Sequence, residues 1–148
     1  MTNWMVVTSR DNYARTEALG FEVQGVKSRH RRKAERMAPG DRVCWYLTGI
    51  QGFAATATLT SASFEGAEAI WVSEKTGDTY PWRFRIAKDH ALRAEAAIPA
   101  LSLLPRLGFV KKWPAAHWRL AFQGNLHELD DVDFAIVERA IVAAEKAT

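Results

Sequence analysis

The sequence predicts an α+β domain, a small mixed β-barrel with peripheral helices and a C-terminal helix. Three observations predict it. Short runs alternating apolar with polar residues outnumber helical ones. The order reads strand, helix, strand, helix, then mostly strands. One strongly periodic amphipathic stretch closes the chain. A length of 148 residues suits a single domain over 1–148. At that size folding buries roughly 70% of the unfolded chain's surface, so neither a disulfide nor a metal is needed.

Trp4 to Thr8, rich in Trp, Val and Met, reads as the first strand. Ser9 or Asp11 caps a short helix that stops at Gly20. Phe21, Val23 and Gly25-Val26 form a second extended segment, and the basic run from His30 to Ala38 a second helix, stopped by Pro39-Gly40-Asp41. Arg42 to Ser63 is the main hairpin, turning at Gly49-Ile50-Gln51-Gly52. Alternation puts Val43, Trp45 and Leu47 on one face, and Cys44, Tyr46 and Thr48 on the other. Trp45 is therefore expected in the core, with Tyr46 and Thr48 in a different environment. After a loop at Glu65-Gly66 and a short piece at Ile70-Trp71-Val72, the turn Lys75-Thr76-Gly77-Asp78 leads into a strand from Tyr80 to Ile86. A short helix near Leu101 to Leu107 and a strand from Trp118 to Phe122 follow. In the last helix Asp130 is the N-cap, with Phe134, Val137, Ile141 and Ala144 as its apolar stripe.

Composition narrows the class. Apolar residues make up 48% and charged residues 25%, which is globular rather than disordered. The one cysteine, Cys44, lies in an apolar run and is expected as a buried thiol in a reducing, cytoplasmic setting. The start has no basic segment ahead of a long apolar core, so no signal peptide is expected. Val43 to Phe64 lacks charge, but its alternating threonines fit two strands rather than a membrane span. Net charge is only +3, yet Lys27, Arg29, Arg31, Arg32, Lys33 and Arg36 cluster against Glu35 alone. Such a cluster serves either a polyanion-binding face or a solvated helix.

Catalytic templates are missing: no Gly-x-Ser-x-Gly elbow, Walker loop or Gly-x-Gly-x-x-Gly is present. The histidines His30, His90, His117 and His127 lack a metal-ligand spacing. Gly49-Ile50-Gln51-Gly52 has the form of a KH-domain loop, but strands flank it, so it is a hairpin turn. Six tryptophans, Trp4, Trp45, Trp71, Trp82, Trp113 and Trp118, accompany Tyr13, Tyr46 and Tyr80. Rings beside a basic segment suit base stacking next to phosphate contacts.

Several segments together resemble the EVE domain family. They are Asn3-Trp4-Met5-Val6-Val7-Thr8-Ser9, Gly25-Val26-Lys27 before a basic helix, and Pro39-Gly40-Asp41-Arg42-Val43-Cys44-Trp45-Tyr46. The hairpin Phe53 to Ser61, Tyr80-Pro81-Trp82-Arg83, and Trp118 with Phe122-Gln123-Gly124, Glu128-Leu129 and Asp133-Phe134 extend the likeness over nearly the whole chain. EVE domains are PUA-like and similar to YTH domains, which hold a methylated adenine in an aromatic cage. The resemblance implies a non-enzymatic module without cofactor that binds DNA or RNA, takes a modified base, and needs no membrane. It implies a base pocket of Ser9, Gly25, Val26, Lys27, Ser28, Tyr46 and Thr48, with Trp82 beside it. Phosphates would fall to Lys27, Arg29, His30, Arg31, Arg32 and Lys33. This chain has Val23-Gln24 where members often carry a tryptophan before the Gly-Val pair. Two alternatives use the same cavity: an ASCH-like hydrolase of a modified nucleoside, with Lys27, Thr48 and a carboxylate such as Glu22, and a small-ligand sensor.

Overall fold

Strand β1 (Asn3–Thr8) has apolar side chains on both faces, and both faces are covered. The computed structural model describes residues 1–147. β1 runs parallel to β3 (Arg42–Leu47) and antiparallel to β8 (Leu126–Leu129). β3 forms the expected hairpin with β4 (Gly52–Leu59). β6 (Trp82–Ala91) is longer than the sequence suggests: residues 82–85 pair with β2 (Val23–Val26) and 86–91 with β4. One strand thus serves two neighbours and curls the sheet, which runs β2-β6-β4-β3-β1-β8. Short strands β5 (Phe64–Glu65) and β7 (Ile98–Pro99) add to β6 and β4, so residues 64–65 are strand where a loop is expected. Irregular pairing at Trp45/Tyr46 and at Thr56/Ala57 adds local twist.

The period-two pattern sorts the interior into two cores. Trp4, Val6, Val43, Trp45, Leu47 and Phe84 point into the curl, with Tyr13 of helix α1 (Arg10–Ala18) and Phe21. Ser9 caps α1 by accepting Asn12 N–H at 3.1 Å, as expected. The chain leaves α1 through left-handed Gly20 (φ 68°) and Phe21 (φ 55°). On the outer face, Met5, Val7, Cys44, Tyr46 and Phe53 meet helix α3 (Asp131–Lys146) and the segment 100–122. Cys44 is buried, and burial raises its thiol pKa.

Two expected elements differ. The basic helix is a 3₁₀ turn Ser28–His30 followed by α2 (Arg31–Glu35), shorter than His30 to Ala38. The short piece at Ile70-Trp71-Val72 has no regular secondary structure, although Trp71 is buried. Trp118 to Phe122 lies in a 3₁₀ stretch, Ala115–Phe122, not in a strand. Its buried residues Trp118, Ala121 and Phe122 recur at helical spacing, which the alternating Trp-x-Leu-x-Phe pattern disguises. Among the described residues no helix is long and apolar enough to cross a membrane.

Candidate functional site

The two ends of the sheet, β2 and β8, are joined by one side chain. Asn125, before β8, accepts Lys27 N–H on its Oδ1 at 2.9 Å, just past β2. Its Nδ2 donates to Val7 O at 2.9 Å, and its own carbonyl accepts Val7 N–H at 2.9 Å. The basic segment reinforces the same seam. Lys33 Nζ donates to Leu126 O at 2.8 Å, and His30 Nε2 accepts Asn125 N–H at 3.4 Å. Burial, then Lys33, Arg29, His127 and Lys27, lower the His30 pKa to about 4. His30 is therefore neutral at neutral pH, which suits an acceptor and not a phosphate ligand.

Beside the seam opens a cleft of about 790 Å³, within the roughly 300–1,000 Å³ range of small-ligand sites. Thr8, Ser9 and Thr48 reach it from the ends of β1 and β3, and Lys27 and Arg29 from the segment after β2. Phe122 to Asn125 form another side, and Tyr80 with residues 72–75 closes the last. Four cationic side chains, Arg15, Lys27, Arg29 and Lys75, line it against the carboxylates of Asp11 and Glu74. Lys27 Nζ lies 3.5 Å from Asp78 and 6.0 Å from the centroid of the Tyr80 ring.

The loop on the last side is held by polar clamps. Asn12 Nδ2 donates to Val72 O at 2.8 Å, while Asn12 Oδ1 accepts Val72 N–H at 2.9 Å. Arg83, buried, donates to the carbonyls of Tyr80 and Glu68 and stacks 5.3 Å from the Trp71 ring. Trp71 Nε1 donates to Thr16 Oγ1 at 2.9 Å. The Trp71 ring fits because residue 25 is glycine: a Cβ there would sit 2.5 Å from the ring.

Of the expected pocket residues, Ser9, Lys27 and Thr48 line this cleft. Gly25 and Val26 are buried behind it, and Ser28 is an exposed neighbour of Lys27. Trp82 is half-buried, its Nε1 donating to Ser28 O at 2.9 Å under the Arg31 guanidinium. Tyr46 needs a correction. It is 2% exposed, in the outer core, stacked on Phe122 at 4.0 Å with Phe53 edge-on. The face it shares with Cys44 is covered by the 100–122 segment, so its environment differs from that of Trp45 without being open. Burial pushes its pKa up to about 12.

Of the expected phosphate ligands, Arg29 lines the cleft with Lys27, and Arg32 is exposed. Arg31 pairs with Glu35 at 2.9 Å, while His30 and Lys33 hold the seam. Glu22, considered as a catalytic partner for Lys27, is exposed and does not line the cleft. Asn12, Tyr80, Phe122 and Asn125 also line the cleft, beyond the residues to which the sequence points. Tyr80-Pro81 and Phe122-Gln123-Gly124 are conspicuous in sequence, but nothing local says which way those rings face.

A curled mixed sheet with a C-terminal helix laid on its outer face is an α+β fold similar to that of YTH domains. The Mmi1 YTH domain, in a crystal structure of its complex with RNA, matches with a TM-score of 0.66 at 11% identity, over 99% of this chain and 80% of that one. A hypothetical protein from Leishmania major matches with a TM-score of 0.61 at 15% identity, over 97% of this chain and 96% of that one. In sequence, the chain is 24% identical to a UPF0310 protein of Pyrococcus abyssi over 147 residues, spanning 93% of this chain and 98% of that protein. No protein-family model matches.

Proposed function

We propose that this protein is a nucleic-acid-binding module of the EVE type, holding one unstacked, modified base in the seam-side cleft without turning it over. The observation that carries this is one cavity in which Lys27 and Arg29 stand beside the edges of the Tyr80 and Phe122 rings, which are 7% and 5% exposed. Ring edges open to the cleft supply part of the base–aromatic contact, which is worth about 1–3 kcal/mol per base when stacking is complete. That is comparable with the few kcal/mol needed to take a base out of its stack. Cations supply phosphate attraction through counterion release. The fold supports the same conclusion, because the Mmi1 YTH domain has been solved with RNA.

Selectivity for a modification needs more than methyl burial, which contributes only about 0.8 kcal/mol per carbon. Shape exclusion by the clamped 72–75 loop supplies a second means of discrimination.

The test is a panel of RNA and DNA oligonucleotides carrying different base modifications, at fixed salt. One or a few modifications should bind best, and Lys27→Ala and Arg29→Ala should weaken all of them. Arg29 is exposed, so its loss is not confounded by misfolding. Absence of binding to any oligonucleotide would overturn the proposal. Hydrolysis of an acylated nucleoside by the intact protein would favour the hydrolase instead.

A further inference from the structure

The 3₁₀ stretch Ala115–Phe122 separates two clefts. Phe122 faces the one already described, while Leu120 and Ala121 line a second of about 400 Å³, with Phe109, Lys112, Trp113 and His127 around it. Gln123 lines both.

Trp113 is unlike the other tryptophans. It is 41% exposed, whereas Trp4, Trp45, Trp71 and Trp118 are buried and Trp82 is half-buried. Its backbone is nonetheless stiff. Trp113 N–H closes a 3₁₀ turn onto Val110 O at 3.1 Å, and Pro114 follows, favouring the extended conformation seen (φ −111°, ψ 148°). The ring is thus offered to solvent from a fixed base, which reduces the entropy lost on stacking.

Charge around it is positive. Lys111 and Lys112 are exposed and make no ion pair among the described residues. The carboxylate lining this cleft, Glu128, is neutralised by Arg36 at 2.9 Å. Burial and then Lys33 lower the His127 pKa, and its Nε2 is buried without a hydrogen-bond partner.

We infer that the second cleft is a neighbouring nucleotide subsite, so that the partner is a single strand rather than a duplex; this rests on the proposed function above. A strand with one base in the first cleft crosses Gln123 and stacks the adjacent base on Trp113, with Lys112 and Lys111 on the phosphates. Two adjacent bases turned into separate clefts cannot both stay stacked in a duplex.

The experiment compares an octanucleotide single strand of RNA or DNA, its duplex, and the 5′-monophosphate of the best-binding base. The intact protein should prefer the single strand to the duplex. Trp113→Ala should reduce the octanucleotide's advantage over the monophosphate about tenfold, the scale of one lost base–aromatic stack. Val132→Ser, at an exposed position on α3 away from both clefts, serves as the unchanged control. If Trp113→Ala leaves that advantage intact while Lys27→Ala still weakens binding, the second subsite is wrong and the first cleft stands. If the duplex binds as tightly as the single strand, the choice of partner is wrong. If the intact protein binds no strand, both proposals fall together.

Discussion

Every polar atom of the Gln24 side chain is used inside the protein. Its Oε1 accepts from Thr16 Oγ1 at 2.7 Å and from Trp45 Nε1 at 2.9 Å, and its Nε2 donates to Gly25 O at 2.8 Å. Gln24 is thus a polar hub that ties α1 to the inner core. Trp71 reaches the same hub through Thr16 from a distant loop. Gln24→Leu leaves the Trp45 N–H without its acceptor, and we expect a loss of roughly 2–4 kcal/mol in a urea titration, the scale of an unsatisfied buried donor plus lost hydrogen bonds. A loss below about 1 kcal/mol would mean that the network is not stabilising. His30 gives a pH dependence of defined sign. Its folded pKa of about 4 lies below its ordinary 6.5, so the unfolded chain takes up the proton first. Stability is then full above pH 6.5 and declines as pH falls toward 4, where protonation also removes the acceptor for Asn125 N–H. Denaturation at pH 7 and pH 5 should show this decline, and His30→Gln, which keeps an acceptor without titrating, should remove the share due to His30 and leave that of His127, whose pKa burial also lowers.

At the scale of elements, α3 does more than cover the sheet. Asp130 caps it, accepting Asp133 N–H at 2.7 Å. Asp133 in turn accepts Gly108 N–H at 2.8 Å and Phe109 N–H at 3.0 Å, which ties the helix start to the irregular segment forming one side of both clefts. Arg42 pairs with Asp89 on β6 and Glu138 on α3, fastening the middle of the helix. Asp133→Ala should therefore cost about 2–3 kcal/mol, as expected when buried donors lose a charged partner. Amide exchange should rise across 108–123 before it rises in β1 or β3; uniform acceleration would show that the helix and segment are not coupled in this way. The sequence marks Asp130 and Asp133 as a helix start, because capping is local. It does not show the bonds to Gly108 and Phe109, since those span about twenty-five residues of chain. The same division explains the strands. β1, β3 and β4 are legible from alternation, whereas two-residue β5 and β7 exist only because β6 and β4 lie beside them.

At the scale of the molecule, the mixed barrel expected from short strands is a curled sheet whose ends are stapled at Asn125. The cleft lies beside that staple, so its position depends on closure of the whole sheet. Lys27 and Thr48 were legible as a pair through resemblance, while Tyr80 and Phe122 required the fold to aim them. Closure occupies Lys33 and Arg36 across the seam, while Arg31 is paired within its own helix. Of the six between residues 27 and 36, Arg31 and Arg36 are ion-paired at 2.9 Å, and Lys33 is bound to Leu126 O. Arg29 and Arg32 make no ion pair among the described residues, and Lys27 has only the longer Asp78 contact of 3.5 Å. If Lys27, Arg29 and Arg32 meet the phosphates together with Lys111 and Lys112, log Kobs should fall with log salt at a slope of roughly −3.5 on a single strand. All six cations of the segment engaged, with the same two lysines, would give a slope of roughly −5.5 under the same conditions. Titrations at several salt concentrations distinguish the two, and Arg29→Ala should flatten the slope by about 0.7. A slope of roughly −5.5 would mean that the Glu35 and Glu128 pairs open and Lys33 leaves Leu126 O when the strand binds. A flat line would leave no phosphate contact for the basic segment to make.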